Sequence, residues 1–124
     1  MTKLKDYKMF IDGSWVESES KKTFETLNPE NNEPWAKVPE ASAKDIDKAV
    51  RAAQKAFDGE WPKLFPKERA KYLKAIASQL RENAEHLGKI ETIDTGKLYK
   101  ETKMQANYIA EYYDYYAGLA DKVE

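Results

Sequence analysis

The sequence has no cysteine. That excludes disulfides, thiolate metal sites and any mechanism built on a cysteine nucleophile, since each needs an ionisable thiol. Glycine is scarce and dispersed: Gly13, Gly59, Gly88, Gly96 and Gly118 stand apart, and none makes a phosphate-cradling loop. His86 is the sole histidine, so no histidine pair can hold a metal. No apolar run approaches the roughly 20 residues that a membrane helix needs. "MTKLKDYKMF" has neither an apolar h-region nor a small-residue cleavage site, so it does not read as a secretory signal, and a cytoplasmic location is expected. Charge is balanced, with 21 Lys and Arg against 22 Asp and Glu. Bulk electrostatics therefore give no pull towards nucleic acid or an anionic membrane.

What is present suits a folded chain. At 41% hydrophobic and 35% charged residues the composition is globular rather than disordered, and 124 residues fit one domain. "YKMFIDGSWVES" reads as a hairpin: Met9 and Ile11 alternate with Phe10, Asp12-Gly13 supplies a turn that needs φ > 0, and Trp15-Val16 returns. "KTFETLNP" is a second extended stretch, ended at Asn28-Pro29 because proline disfavours helix before it and donates no ladder bond. "NPENNEP" reads as a loop and "WAKVPE" as a third short strand.

From Ser42 the period changes. Ser42 is a good N-cap with Asp45 in the capping-acid position, and Ile46, Ala49, Val50, Ala53 and Phe57 repeat at helical spacing. A helix is expected over 43–57, ended by Asp58-Gly59. Trp61 anchors the connector "EWPKLF", and Trp15 reads as a second packing anchor. Pro66 suits a first helical position, and Ala70, Leu73, Ile76, Ala77 and Leu80 predict a second helix to about Arg81. Asn83 can cap a third, through Leu87, Ile90 and Ile93 to Gly96; a fourth follows from about Tyr99 to Asp121. The expected fold class is α+β, a β-hairpin and short strands over 1–40 followed by four helices over 41–124. The alternating βαβ units of a doubly wound sheet are absent.

"EYYDYYAGLAD" crowds Tyr112, Tyr113, Tyr115 and Tyr116 onto that last helix. Tyr108, Tyr112, Tyr115 and Leu119 share one face, and Ile109, Tyr113, Tyr116 and Ala120 a neighbouring one. The combined arc is wider than the roughly 100° that an ordinary surface helix buries. Phenols suit interfaces, where the ring is covered and the hydroxyl finds a partner. Two readings stand: packing partners on two sides, or tyrosines partly solvated on a surface helix.

Taken in order, several stretches resemble the N-terminal part of the NAD(P)-dependent aldehyde dehydrogenase family. They are "FIDGSWVES", "KTFETLNPENNE", a valine-proline strand and "DIDKAVRAAQKAF". Then come Trp61, Pro66, Arg69 and Ala70 in a W-x-x-x-x-P-x-x-R-A pattern, "LRENAEHLGKIETIDTGK" and "YYAGLADK". The likeness is colinear from about Met9 to Lys122. Three positions depart from it: Leu98 where proline is frequent, Phe65 where a polar cap is common, and Pro34-Trp35 in place of a small aliphatic pair.

The resemblance implies that the chain is the N-terminal part of the cofactor-binding domain of a longer α/β enzyme. The catalytic and oligomerisation parts would be absent. The parent would use NAD or NADP to oxidise an aldehyde to a carboxylic acid, through attack of a cysteine thiolate, hydride transfer, and hydrolysis by a glutamate-activated water. This chain lacks the thiol, so alone it is expected to be inactive, with no catalytic or cofactor-binding residue and no cofactor of its own. The implied partners are the remainder of the polypeptide and further copies in a homo-oligomer. The contrasting reading is a freestanding, non-enzymatic binding or oligomerisation module derived from the family. "AGLADKVE" offers no helix stop, which reads as a sequence cut rather than finished.

The resemblance also implies one ligand set, for K+ or Na+: the main-chain carbonyls of Thr26 and Leu27 and the carboxylate of Asp94. Hard oxygen donors suit such an ion. The competing role for Asp94 is to brace the Asp94-Thr95-Gly96 turn. His86, Glu91 and Glu101 read as solvated surface residues, and Lys97 after Gly96 is too common a pattern to count as a phosphate ligand.

Overall fold

The computed structural model describes residues 4–122. Residues 1–3, which open the stretch examined for a leader, lie outside the described residues, as do the last two of "AGLADKVE". The chain divides between Lys63 and Leu64 into two compact units.

The first unit holds the strands. β1 (Lys5–Asp6), β5 (Glu33–Pro39) and β4 (Thr23–Asn28) form a three-stranded sheet in the order β1-β5-β4, with β4 antiparallel and β1 parallel to β5. β2 (Met9–Ile11) and β3 (Ser14–Val16) form the expected hairpin, pairing Phe10 with Trp15. Its turn has φ of 49° at Asp12 and 77° at Gly13, the left-handed pair that matches strand twist in a two-residue loop. Two readings need correction. β1 carries no alternating pattern and escapes sequence reasoning. β5 begins at Glu33 and not at Trp35, because Asn31 Oδ1 accepts the Glu33 N–H (3.0 Å) and releases the chain into extended form there.

α1 (Ala43–Asp58) starts as its sequence dictates. Asp45 N–H donates to Ser42 Oγ (3.3 Å), and Ser42 N–H donates back to Asp45 Oδ2 (2.8 Å), a complete capping box. Its apolar stripe exists but lies in the open: Ile46 is 55%, Val50 60% and Phe57 68% exposed. The two tryptophans expected as anchors are also exposed. Trp15 meets Phe10 at 5.1 Å between ring centres, and Trp61 opens a single 3-10 turn (Trp61–Lys63). Neither is buried in a groove of the described residues.

The second unit is a three-helix assembly of α2 (Pro66–Glu82), α3 (Ala84–Thr95) and α4 (Tyr99–Leu119), with α4 packed against both others. α2 begins at Pro66 as expected. Phe65 cannot cap it, but half of a capping box survives, since the Phe65 N–H donates to Glu68 Oε2 (2.8 Å). Asn83 holds the expected position without the expected bond. Its amide donates back to the Gln79 carbonyl (2.9 Å), so it closes α2 instead of capping α3 with its side chain. α3 ends at Gly96, whose φ of 75° and N–H to Thr92 carbonyl (2.9 Å) make a left-handed stop.

Small residues make the inside of this unit. Ala70, Ala77, Ala84, Ala106, Ala110 and Ala117 are buried, together with Gly88 and Thr102. Thr102 Oγ1 is fully buried, donates to the Gly88 carbonyl (2.9 Å), and also meets Thr92 Oγ1 (2.9 Å). A Cβ at Gly88 would fall 2.9 Å from Lys103 Cα, so the α3 and α4 backbones run nearly in contact.

Candidate functional site

The buried side of α4 places its tyrosines. Thr102, Ala106, Ala110 and Ala117 recur three to four residues apart or in multiples of that spacing, and they face α2 and α3. The opposite side must then carry Tyr108, Tyr112, Tyr115 and Tyr116, all four exposed, while Tyr113 on the flank is partly covered. The Tyr108 and Tyr112 rings meet edge to face at 5.0 Å and their hydroxyls share a 2.9 Å hydrogen bond. That bond, made by one helical turn of spacing, holds the Tyr112 phenol above its usual pKa. Tyr115 and Tyr116 form a second perpendicular pair at 5.4 Å. Together with Glu111 these four rings line a hollow of about 410 Å³. Asp114, on the next turn, is neutralised by Arg81 of α2 at 2.6 Å.

A second hollow, of about 490 Å³, runs along α2 and the start of α3 and is lined by Tyr72, Ile76, Leu80, Leu87 and His86 among others. His86 is exposed, as expected, but borders this apolar groove instead of a purely polar surface.

The residues with an implied cation role fall in different units. Thr26 and Leu27 flank an irregularity in β4, where the ladder steps from Thr26–Ala36 to Leu27–Pro34 and passes over Trp35. Pro34 has no N–H to offer at that step. Asp94 is exposed in the last turn of α3. Nearby, Thr95 Oγ1 donates to the Glu91 carbonyl (2.6 Å), and Lys97 closes on Glu91 Oε1 (2.7 Å). Glu91 and Lys97 are therefore an ion pair across the helix end. Among the described residues no group of three His, Asp or Glu side chains gathers as for a metal ion, and no helix is long and apolar enough to cross a membrane.

Sequence reasoning missed the tightest polar cluster. Asp45 is buried, and Oδ2 accepts from Ser42 N–H and Ser42 Oγ (each 2.8 Å), with Ser18 Oγ at 3.0 Å and the Glu19 N–H at 3.2 Å. The Ser42 backbone and side-chain bonds are the main reason the Asp45 pKa falls from 3.8 to about 2. The distance in sequence from Ser18 to Asp45 hid the cluster. Only the Ser42–Asp45 half has a local signature.

Comparison with known proteins gives a consistent result. The model of the aldehyde dehydrogenase family matches residues 15–124. A dehydrogenase of Acinetobacter baylyi that acts on (Z)-2-((N-methylformamido)methylene)-5-hydroxybutyrolactone is 41% identical over 98% of the chain. The betaine aldehyde dehydrogenase of Bacillus subtilis is 44% identical over 92% of it. Among solved structures, an NAD-dependent aldehyde dehydrogenase from Sinorhizobium meliloti superposes with a TM-score of 0.93 at 34% identity over 98% of the chain. A betaine aldehyde dehydrogenase from Staphylococcus aureus, in complex with NAD+, gives 0.89 at 40% identity over 94%. The chain spans about a quarter of the length of each of these relatives, 25%, 24%, 24% and 24% respectively. Nearly all of this sequence, and both of its units, thus find their counterpart in one kind of oxidoreductase, and the chain belongs to the aldehyde dehydrogenase family.

Proposed function

We propose that the chain is the N-terminal part of the cofactor-binding domain of a cytoplasmic, homo-oligomeric NAD(P)+-dependent aldehyde dehydrogenase, and that these 124 residues alone do not oxidise aldehydes. The observation that carries the second half is the absence of cysteine. Covalent capture of an aldehyde carbonyl needs a thiolate beside a base, and no residue here supplies one. A dinucleotide bound by the parent would supply the hydride acceptor. The role of these residues is to build helices and strands against which the rest of the enzyme packs. The exposed faces of α1 and α4 favour that role over a finished, self-contained binding module.

The test is a dehydrogenase assay on the purified chain, with a panel of aldehydes and either dinucleotide, following reduced nicotinamide. No turnover above background is expected. Turnover that survives thiol-blocking reagents would overturn the proposal.

The same reading holds a monovalent cation on the Thr26 and Leu27 carbonyls and the Asp94 carboxylate. Asp94→Ala should abolish any K+ dependence of the melting temperature. Equal K+ dependence in both proteins would reject the ligand role.

A further inference from the structure

We propose that the hollow between α2 and α4 lined by Lys67, Lys71, Lys74 and Lys122 binds a diphosphate group with a free terminal phosphoryl end. The inference goes beyond the proposed function and does not rest on it.

Helical spacing builds the site. Lys67, Lys71 and Lys74 stand four and three residues apart, so one face of α2 carries all three. Like charges one turn apart repel, and Lys67 lies in the first turn, where the helix dipole favours an anion. Nothing nearby offsets this: none of the three forms an ion pair among the described residues, and all three are exposed.

The opposite wall gives room without bulk. Ala70 of α2 and Ala117 and Gly118 of α4 are small, and a Cβ added at Gly118 would meet nothing within 4 Å. The hollow measures about 440 Å³. Asp121 is the one acid among the described residues that line it. Lys122 already holds that carboxylate at 2.8 Å; this hydrogen bond, with Lys67 at longer range, keeps Asp121 below its usual pKa. Four lysines against one acid leave three positive charges above a floor of small residues.

The kind of charge selects the ligand. Planar carboxylates are matched by the fork of an arginine, and no arginine lines this hollow among the described residues. A lysine ammonium is a point charge with rotatable donors, which suits the tetrahedral oxygens of a phosphoryl group. A phosphate monoester carries about 1.5–2 negative charges at neutral pH. One phosphoryl group therefore underfills three cations, and two joined groups balance them. The same charges keep the hollow open when further polypeptide packs on the chain. Lysine is rarely buried without a partner, and an apolar cover would strip water from three ammonium groups without return.

The experiment titrates the 124-residue chain with sodium pyrophosphate and follows backbone amide signals by NMR. Sodium citrate, NAD+ and sodium chloride at matched ionic strength are separate arms. Saturable movement of the Ala70, Lys71, Ala117 and Gly118 signals is expected with pyrophosphate. ADP should act likewise: equal affinity assigns the site to the diphosphate itself, tighter binding to a nucleoside diphosphate. NAD+, whose diphosphate is esterified at both ends, should leave these signals unmoved. Lys71→Gln and Lys74→Gln should each weaken binding about fivefold, the loss of one exposed ion pair. Lys100→Gln, at the start of α4 and outside the hollow, should not change it. Far-UV circular dichroism checks that the helices are intact in each variant. Citrate or NAD+ binding as tightly as pyrophosphate, movement that never saturates, or lysine variants that bind like the unsubstituted chain would overturn the proposal.

Discussion

Asp45 shows how far one side chain can act from its place in sequence. Its carboxylate closes the first turn of α1 and at the same time ties down Ser18 and Glu19, more than twenty residues earlier. Each of those donors favours the charged form, so the folded pKa lies below the unfolded one. The sign follows: the stabilisation is present above pH 3.8, and it drains away as pH falls towards about 2. An acid titration that follows the Glu19 and Ser42 amide signals should show both moving together in that window. Asp45→Asn should remove the shared transition. If the two amides titrate independently in the natural protein, the cluster is not a unit. Ser42 with Asp45 three positions later is a local rule, visible in the sequence. Ser18 had no such marker.

At the level of elements, local chemistry was legible and burial was not. The Asp12-Gly13 turn, the Pro66 start and the Gly96 stop each follow from what one or two residues can do to the backbone, and each stands where expected. Asn83 misled because an amide can donate as well as accept, and here it donates to Gln79. Hydrophobic spacing correctly located α1, α2, α3 and α4 but suggested that the largest side chains point inward. In the second unit alanines take the buried positions, Leu73, Leu80 and Tyr113 are only partly covered, and Tyr72, Ile76, Met104, Tyr108, Tyr112, Tyr115 and Tyr116 face out. The tyrosine arc was therefore readable as an unusual surface, whereas Glu111 within it was not, since one acid on a helix carries no signal until its neighbours are placed. Close approach of α3 and α4 at Gly88 gives the sharpest mechanical prediction. Gly88→Ala places a methyl against the Lys103 backbone and should destabilise by about 1–3 kcal/mol despite its better helix propensity. Thr102→Val, which removes the buried hydroxyl that bonds the Gly88 carbonyl and Thr92 Oγ1, should cost a similar amount. Thermal melts of both proteins check this; an unchanged or raised melting temperature in Gly88→Ala would mean that the helices can move apart freely.

For the molecule as a whole, the exposed apolar surface sets behaviour in solution. Covering one side chain such as Phe57 or Ile46 is worth about 1.5–3 kcal/mol, and the α1 stripe alone offers three in a row along one face. The chain should accordingly self-associate as its concentration rises. Sedimentation should report an average mass that grows with concentration. Replacing Ile46, Val50 and Phe57 together by lysine or glutamine should return it towards the monomer without loss of helical signal. A monomer at all concentrations, with a sharp melt, would count against this account of the surface.

The alanine interior of the second unit separates two properties that most proteins keep entangled. Because buried alanines, Gly88 and Thr102 set the closest approaches of α2, α3 and α4, the exposed rings of Tyr108, Tyr112, Tyr115 and Tyr116 are not what fixes that spacing. The outward tyrosines could be exchanged one after another for other chemistries while the scaffold beneath keeps its dimensions, so recognition on α4 is free to drift across evolution, or to be rewritten at the bench, at little risk to folding.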